Sequence, residues 1–187
     1  MKIICLGDSL TYGYGVYMDE CWVYLIQKET GMRVLNRGIN GDTTGYMLER
    51  ARRRVIPNDV AFGDLVIIMG GANDALMYGT NHYDSDNILK IAEMMSDEGA
   101  IPIVGIQPGF RKSRNPFYGP MNVDSLNADF DGFAERVIKR CRLESVACFD
   151  LRHVLEAPEL FSDGVHPTEE GHRLIAETVL ECISPMM

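Results

Sequence analysis

Ile3-Ile4-Cys5-Leu6-Gly7-Asp8-Ser9-Leu10 runs four apolar residues straight into a Gly-Asp-Ser turn. A short, unbroken apolar run closed by a turn reads as a strand covered on both faces, as in a parallel sheet. Four further strand candidates follow at residues 33–36, 65–69, 101–106 and 145–150. Between them, apolar residues recur at helical spacing. Cys21, Trp22, Leu25 and Ile26 form one stripe, and Met47, Leu48, Ala51 and Val55 form a second that Pro57 is expected to close. Ile88, Ile91, Ala92 and Met95 make a third, Leu126, Phe130, Phe133 and Val137 a fourth, and Ile175, Val179 and Ile183 the last. Strands alternating with helices predict an α/β fold around a buried parallel sheet.

A chain of 187 residues suits one compact domain, expected to span residues 1–187. Hydrophobic residues at 46% and charged residues at 24% are the balance of a globular protein and exclude a disordered or collagen-like chain. The formal net charge of -9 repels phosphate backbones, so no nucleic-acid partner is expected. Cys5, Cys21, Cys141, Cys148 and Cys182 are scattered, without a CxxC pair, as free thiols in a reducing compartment would be. The first turn leaves no room for the apolar core of a signal peptide, and no run nears the ~18–20 apolar residues that span a bilayer. The expectation is a cytoplasmic protein without stable membrane insertion. A homo-oligomer stays open.

Four loops at the carboxyl ends of the expected strands carry polar residues that are costly to bury without a partner. Ser9 stands at a strand-to-helix turn, where its hydroxyl either caps the helix or serves as a nucleophile. In Asp163-Gly164-Val165-His166-Pro167 the three-residue offset lets the carboxylate fold back to one imidazole nitrogen, leaving the other to take a hydroxyl proton. A turn aspartate and a surface histidine ahead of an N-capping Thr168 is the alternative. Gly41, at the start of a helix, would let a backbone N–H approach a substrate closely, and Asn73 in Gly70-Gly71-Ala72-Asn73-Asp74 could donate its amide to the same point. Singly, each also fits a plain helix start or an Asx turn.

In this order, the four segments resemble the blocks of the SGNH hydrolases, also called GDSL esterases and lipases. The matching positions are Gly7-Asp8-Ser9-Leu10, Gly41 within Gly41-Asp42-Thr43, Gly71-Ala72-Asn73-Asp74 and Asp163-Gly164-Val165-His166-Pro167. The resemblance implies a flavodoxin-like three-layer α/β/α sandwich with a five-stranded parallel sheet ordered 2-1-3-4-5. It implies Ser9 as nucleophile, His166 and Asp163 as the rest of a catalytic triad, and the Ser9 N–H, Gly41 and Asn73 as the oxyanion hole. The implied reaction is hydrolysis of a small-molecule carboxylic ester or thioester through an acyl-enzyme on Ser9. Lysophospholipids, acyl-CoA, aryl esters and O-acetylated carbohydrates all stay open as substrates.

The segments 75–83 and 107–122, after the third and fourth strands, are where such proteins vary with substrate. The second is punctuated by Pro108, Gly109, Pro116, Gly119 and Pro120 and reads as a lid or pocket wall. Tyr12, Met77, Tyr78, Phe110, Phe117 and Tyr118 are the candidate lining of an apolar pocket, with Tyr14 and Tyr83 nearby. Arg111, Lys112 and Arg114 could meet an anionic leaving group. The arginines Arg50, Arg52, Arg53 and Arg54 read as a solvated helix face. No cofactor or metal is expected. His82, Asp84 and Asp86 precede a helix and read as capping chemistry, while His153 and His172 read as surface or packing residues. A non-hydrolytic flavodoxin-like binding protein is the competing class, but the first loop has no P-loop lysine and such a protein gives Asp163 and His166 no task.

Overall fold

The computed structural model describes the whole chain apart from residues 79–84, 115, 118, 120 and 121, and the side chains of Tyr78 and Ser85. Strands β1 (Ile3–Gly7), β2 (Val34–Gly38), β3 (Leu65–Met69), β4 (Ile101–Ile106) and β5 (Ala147–Asp150) form one sheet, ordered β2-β1-β3-β4-β5. All four pairings are parallel. Every residue of β1 and β3 is buried, which is why both read as unbroken apolar runs. The edge strands β2 and β5 are only half-buried and mix polar with apolar residues.

The helices are α1 (Ser9–Tyr12), α2 (Trp22–Thr30), α3 (Thr44–Arg50), α4 (Ile56–Asp59), α5 (Ala72–Tyr78), α6 (Ser85–Asp97), α7 (Val123–Glu144) and α8 (Glu169–Ile183). Helices α2 and α8 pack on each other over one face, and α6 packs with α3 and α7 over the other, giving the expected α/β/α layers. Trp22 locks the first layer: its indole N–H donates to the Leu10 carbonyl at 2.9 Å, and its backbone N–H donates to His172 Nδ1 at 3.3 Å. Because every strand runs the same way, the loops leaving β1, β2, β3 and β4 share one rim, the side where open α/β sheets place their ligands.

Three local expectations are corrected. Pro57 does not end the second stripe: α3 passes into a wide π-helical turn over Ala51–Val55 and then into α4, with Pro57 in the opening turn of α4. The wide turn shifts the hydrogen-bond register at the point where proline has no N–H to give. Ser145 is not in a strand but caps α7 in a left-handed conformation, its N–H donating to the Cys141 carbonyl, so β5 starts only at Ala147. Ala75 to Tyr78, read as loop, belong to α5. Gly7 is required where β1 meets α1, because a Cβ there would lie 2.1 Å from Thr11 Oγ1 and 2.6 Å from the Met69 carbonyl oxygen.

Candidate active site

The chain turns from β1 into α1 at Asp8, whose carboxylate caps the helix by accepting the Leu10 N–H at 3.0 Å. That turn leaves the next side chain, Ser9, buried at the rim with its Oγ 3.0 Å from His166 Nε2. His166 comes from the far end of the sequence, in a loop closed by the bridge between Phe161 and Pro167. Within it, Asp163 Oδ1 accepts the N–H groups of Val165 and His166 at 3.0 and 2.9 Å, and Oδ2 lies 2.7 Å from His166 Nδ1. Burial alone would raise the Asp163 carboxyl, but the bonds from the His166 ring and from the two N–H groups outweigh it and hold the group below its ordinary range. With a carboxylate at Nδ1, the ring proton belongs there, and Nε2 faces the Ser9 hydroxyl with its lone pair.

Asn73 lies in the first turn of α5 and donates its amide to the Asp42 carbonyl at 2.9 Å, with Asp8 Oδ2 at 3.4 Å. Gly41 sits not in a helix but in the turn before Thr43, the N-cap of α3, and adopts φ 79°, a left-handed conformation that suits glycine. Among the described residues, neither the Ser9 nor the Gly41 backbone N–H donates to any partner. Asp74, beside Asn73, accepts from the Thr44 N–H and hydroxyl at 2.9 and 2.6 Å, which fixes the start of α3 to the start of α5. The arrangement therefore offers a hydroxyl beside a carboxylate-backed imidazole, with unengaged N–H groups at Ser9 itself and in the loop after β2, the parts that acyl transfer requires.

Two residues build the rim in roles that the sequence reading did not give them. Arg50 is corrected from a solvated to a largely buried position. Its guanidinium donates to Asp42 Oδ2 at 2.7 and 2.9 Å, to the Arg37 carbonyl at 2.6 Å and to the Gly7 carbonyl at 2.9 Å. Arg52, Arg53 and Arg54 are exposed as expected. The usable signal was spacing: Arg50 stands three residues after Met47, on the face of the apolar stripe. Gln107 is fully buried, donating to both oxygens of Asp8 and accepting the Ala72 N–H. Its signal was a lone polar residue directly after the buried run of β4.

Of the pocket candidates, Phe117 lies edge-on to His166, with ring centroids 5.1 Å apart. Tyr14 is the other ring contact of His166, tilted at 43° with centroids 4.4 Å apart, and both aromatics keep exposed surface. Tyr12 and Met77 are exposed, but no ring or hydrogen-bond contact joins either side chain to Ser9 or His166. Phe110 is corrected from pocket wall to core, packed edge-on against Phe130. The side chain of Tyr78, the whole of Tyr118, and His82 and Asp84 fall outside the described residues. Arg111 is committed internally, donating to the carbonyls of Phe110, Arg152, Leu155 and Glu156, and its own N–H donates to the Gly164 carbonyl. Together with the bond from the Phe117 N–H to the Asp163 carbonyl, this stitches the segment after β4 to the His166 loop.

A family model described as GDSL-like Lipase/Acylhydrolase matches residues 5–174. An arylesterase from Vibrio mimicus is 30% identical, over 96% of this chain and 86% of the relative. Esterase TesA from Pseudomonas aeruginosa is 26% identical, over 99% of this chain and 89% of the relative. A lipolytic protein of the G-D-S-L family from Veillonella parvula superposes with a TM-score of 0.85 at 24% identity, over 98% of both chains, which speaks to the fold. No helix among the described residues is long and apolar enough to cross a membrane. The chain belongs to the GDSL-like lipase/acylhydrolase family and is an ester-hydrolysing enzyme.

Proposed function

We propose that the protein hydrolyses small, uncharged carboxylic esters, aryl esters among them, through an acyl-enzyme on Ser9. The observation that carries this reading is the hydrogen-bonded chain from Ser9 Oγ to His166 Nε2 at 3.0 Å and from His166 Nδ1 to Asp163 Oδ2 at 2.7 Å. His166 takes the Ser9 proton as the oxygen attacks the carbonyl, Asp163 stabilises the imidazolium, and the same proton passes to the leaving alkoxide or phenoxide. Water activated by His166 then releases the acid. The Ser9 and Gly41 N–H groups and the Asn73 amide receive the tetrahedral oxyanion.

Two features support an uncharged, partly aromatic substrate. Tyr14 and Phe117 flank the catalytic ring with exposed apolar surface, a wall on which a phenyl or short alkyl group gains contact. Of the three cations ahead of Phe117 in sequence, Arg111 is spent on backbone carbonyls and Lys112 pairs with Asp124, leaving the exposed Arg114. The net charge of -9 also opposes a polyanionic thioester such as acyl-CoA. The name of the arylesterase relative points the same way.

The test is a panel of p-nitrophenyl esters from acetyl to palmitoyl, run beside an acyl-CoA and an acetylated sugar, on the native chain and on Ser9→Ala. Short aryl esters should turn over fastest, and Ser9→Ala should lose roughly 10⁴-fold or more in kcat. Hydrolysis undiminished in Ser9→Ala would overturn the assignment of the nucleophile. Preference for acyl-CoA or the acetylated sugar would overturn the substrate class and leave the nucleophile standing.

A further inference from the structure

Asp8 carries no step in the reaction just described, yet it is a fully buried carboxylate immediately before the nucleophile. Its four contacts come from three different segments. Oδ1 accepts the Leu10 N–H at 3.0 Å, inside α1, and Gln107 Nε2 lies 2.9 Å from Oδ1 and 2.8 Å from Oδ2. Asn73 Nδ2 stands 3.4 Å from Oδ2. The carboxamide of Gln107, also fully buried, turns its oxygen the other way and accepts the Ala72 N–H at 2.9 Å, at the first residue of α5. A single side chain from the end of β4 thus spans the start of the helix that bears Ser9 and the start of the helix that bears Asn73.

We infer that Asp8 and Gln107 are positioning residues that set the distance between the nucleophile and the Asn73 oxyanion donor; the inference rests on the proposed roles of Ser9 and Asn73. The link has a fixed polarity. Ionised, as at pH 8, Asp8 has only acceptors to offer, so Gln107 must present its NH₂ to it, and that choice forces the Gln107 oxygen onto the Ala72 N–H. Flipping the amide would set NH₂ against N–H on one side and oxygen against carboxylate on the other. No water is needed to complete the chain, and with every group buried an unmatched pair cannot be hidden in solvent. Both helices are short at this point, and neither start is otherwise tied directly to the other by backbone hydrogen bonds among the described residues.

The polarity makes the link testable by reversal. Asp8→Asn sets an amide NH₂ against the NH₂ of Gln107. Gln107→Glu sets two carboxylates face to face, which can be held only with a shared proton. The double variant Asp8→Asn/Gln107→Glu restores a match: the Asn oxygen still accepts the Leu10 N–H, its NH₂ donates to one Glu oxygen, and the other Glu oxygen accepts the Ala72 N–H. Lost are the 3.4 Å contact from Asn73 and the second, 2.9 Å branch of the Gln107 bond, which ran to Oδ1. The net charge of the pair and the size of each side chain are unchanged.

Steady-state hydrolysis of p-nitrophenyl acetate at pH 8 reads the outcome, with circular dichroism confirming that each variant is folded at the assay temperature and Ser9→Ala as the control. Asp8→Asn should lower kcat by about 10²-fold with KM within twofold, because the defect lies in the alignment of reacting groups and not in the pocket. The double variant should recover at least tenfold of that loss. Full kcat in Asp8→Asn, or a double variant no better than the worse single one, overturns the link while an inactive Ser9→Ala leaves the nucleophile intact. If Asp8→Asn fails to fold, the double variant decides alone: folded and active supports the link, unfolded or inactive overturns it.

Discussion

Asn73 has two amide protons and a crowded set of acceptors. The Asp42 carbonyl at 2.9 Å takes one N–H in good geometry, and Asp8 Oδ2 at 3.4 Å is too distant to hold the other firmly. An incoming oxyanion would therefore find the second N–H only weakly engaged, on an amide already oriented by its bond to the Asp42 carbonyl, which is what preorganised stabilisation requires. Asn73→Ala should lower kcat by ~10²–10³, about 3–4 kcal/mol of transition-state stabilisation, with KM for p-nitrophenyl acetate little changed. Single-turnover acylation measured by stopped flow separates this from a slow deacylation. A loss confined to KM would show that Asn73 binds ground-state substrate and not the tetrahedral centre. The same residue shows what sequence can and cannot convey: its donor chemistry was legible in Gly70-Gly71-Ala72-Asn73-Asp74, whereas its anchor on Asp42 depends on two loops that meet only once the sheet has formed.

At the scale of elements, the loops after β1 and β2 are joined through the end of α3. Arg50 reaches back to the carbonyls of Gly7 and Arg37, at the carboxyl ends of neighbouring strands, and to the Asp42 carboxylate beside Gly41. Arg50→Ala would strip the Asp42 carboxylate of its guanidinium partner and take a donor from each of the two carbonyls, the Gly7 carbonyl keeping the Ile39 N–H at 3.1 Å, costing about 3 kcal/mol. For a chain of this length the loss should lower Tm by roughly 6–12 °C. Arg50→Lys should recover less than half of it, since an ammonium group cannot fork between a carboxylate and two carbonyls. Thermal unfolding of both variants checks this, and a drop below about 2 °C for Arg50→Ala would refute the clamp. The strands were legible because burial on both faces demands continuous apolar runs; Arg50 and Gln107 were not, because a buried polar side chain is recognised by its partners, which lie far off in sequence. Pro57 misled for the opposite reason: a local rule about helix ends was overridden by a π-helical turn that makes room for proline.

For the whole molecule, two buried groups with opposite linkage to protons shape stability between pH 4 and 6. His172 is fully buried, its Nδ1 accepts the Trp22 N–H, and its Nε2 has no partner among the described residues. Burial, with the nearby His166 adding, pushes its pKa down from 6.5 to about 4. The unfolded chain therefore binds this proton first, and stability present above pH 6.5 is lost as pH falls toward 4, by about 3 kcal/mol. Asp8 runs the other way. Burial pushes it up from 3.8 to about 6 against the hydrogen bonds from Gln107 and Leu10, so the folded chain binds the proton first. Stability is then lost as pH rises from 3.8 through 6, by a similar ~3 kcal/mol. The carboxyls of Asp59, Asp64 and Asp163, held below their ordinary range, cost stability only as pH falls through 3.8 and below. Within the shared window the two slopes nearly cancel, and urea unfolding of the native chain should give an almost level free energy from pH 4 to 6. His172→Gln, whose side-chain oxygen can still accept the Trp22 N–H, removes one slope and should leave stability declining by about 3 kcal/mol as pH rises from 4 to 6. A steep pH dependence in the native chain over that range, or a level profile in His172→Gln, would show that these two groups do not balance each other.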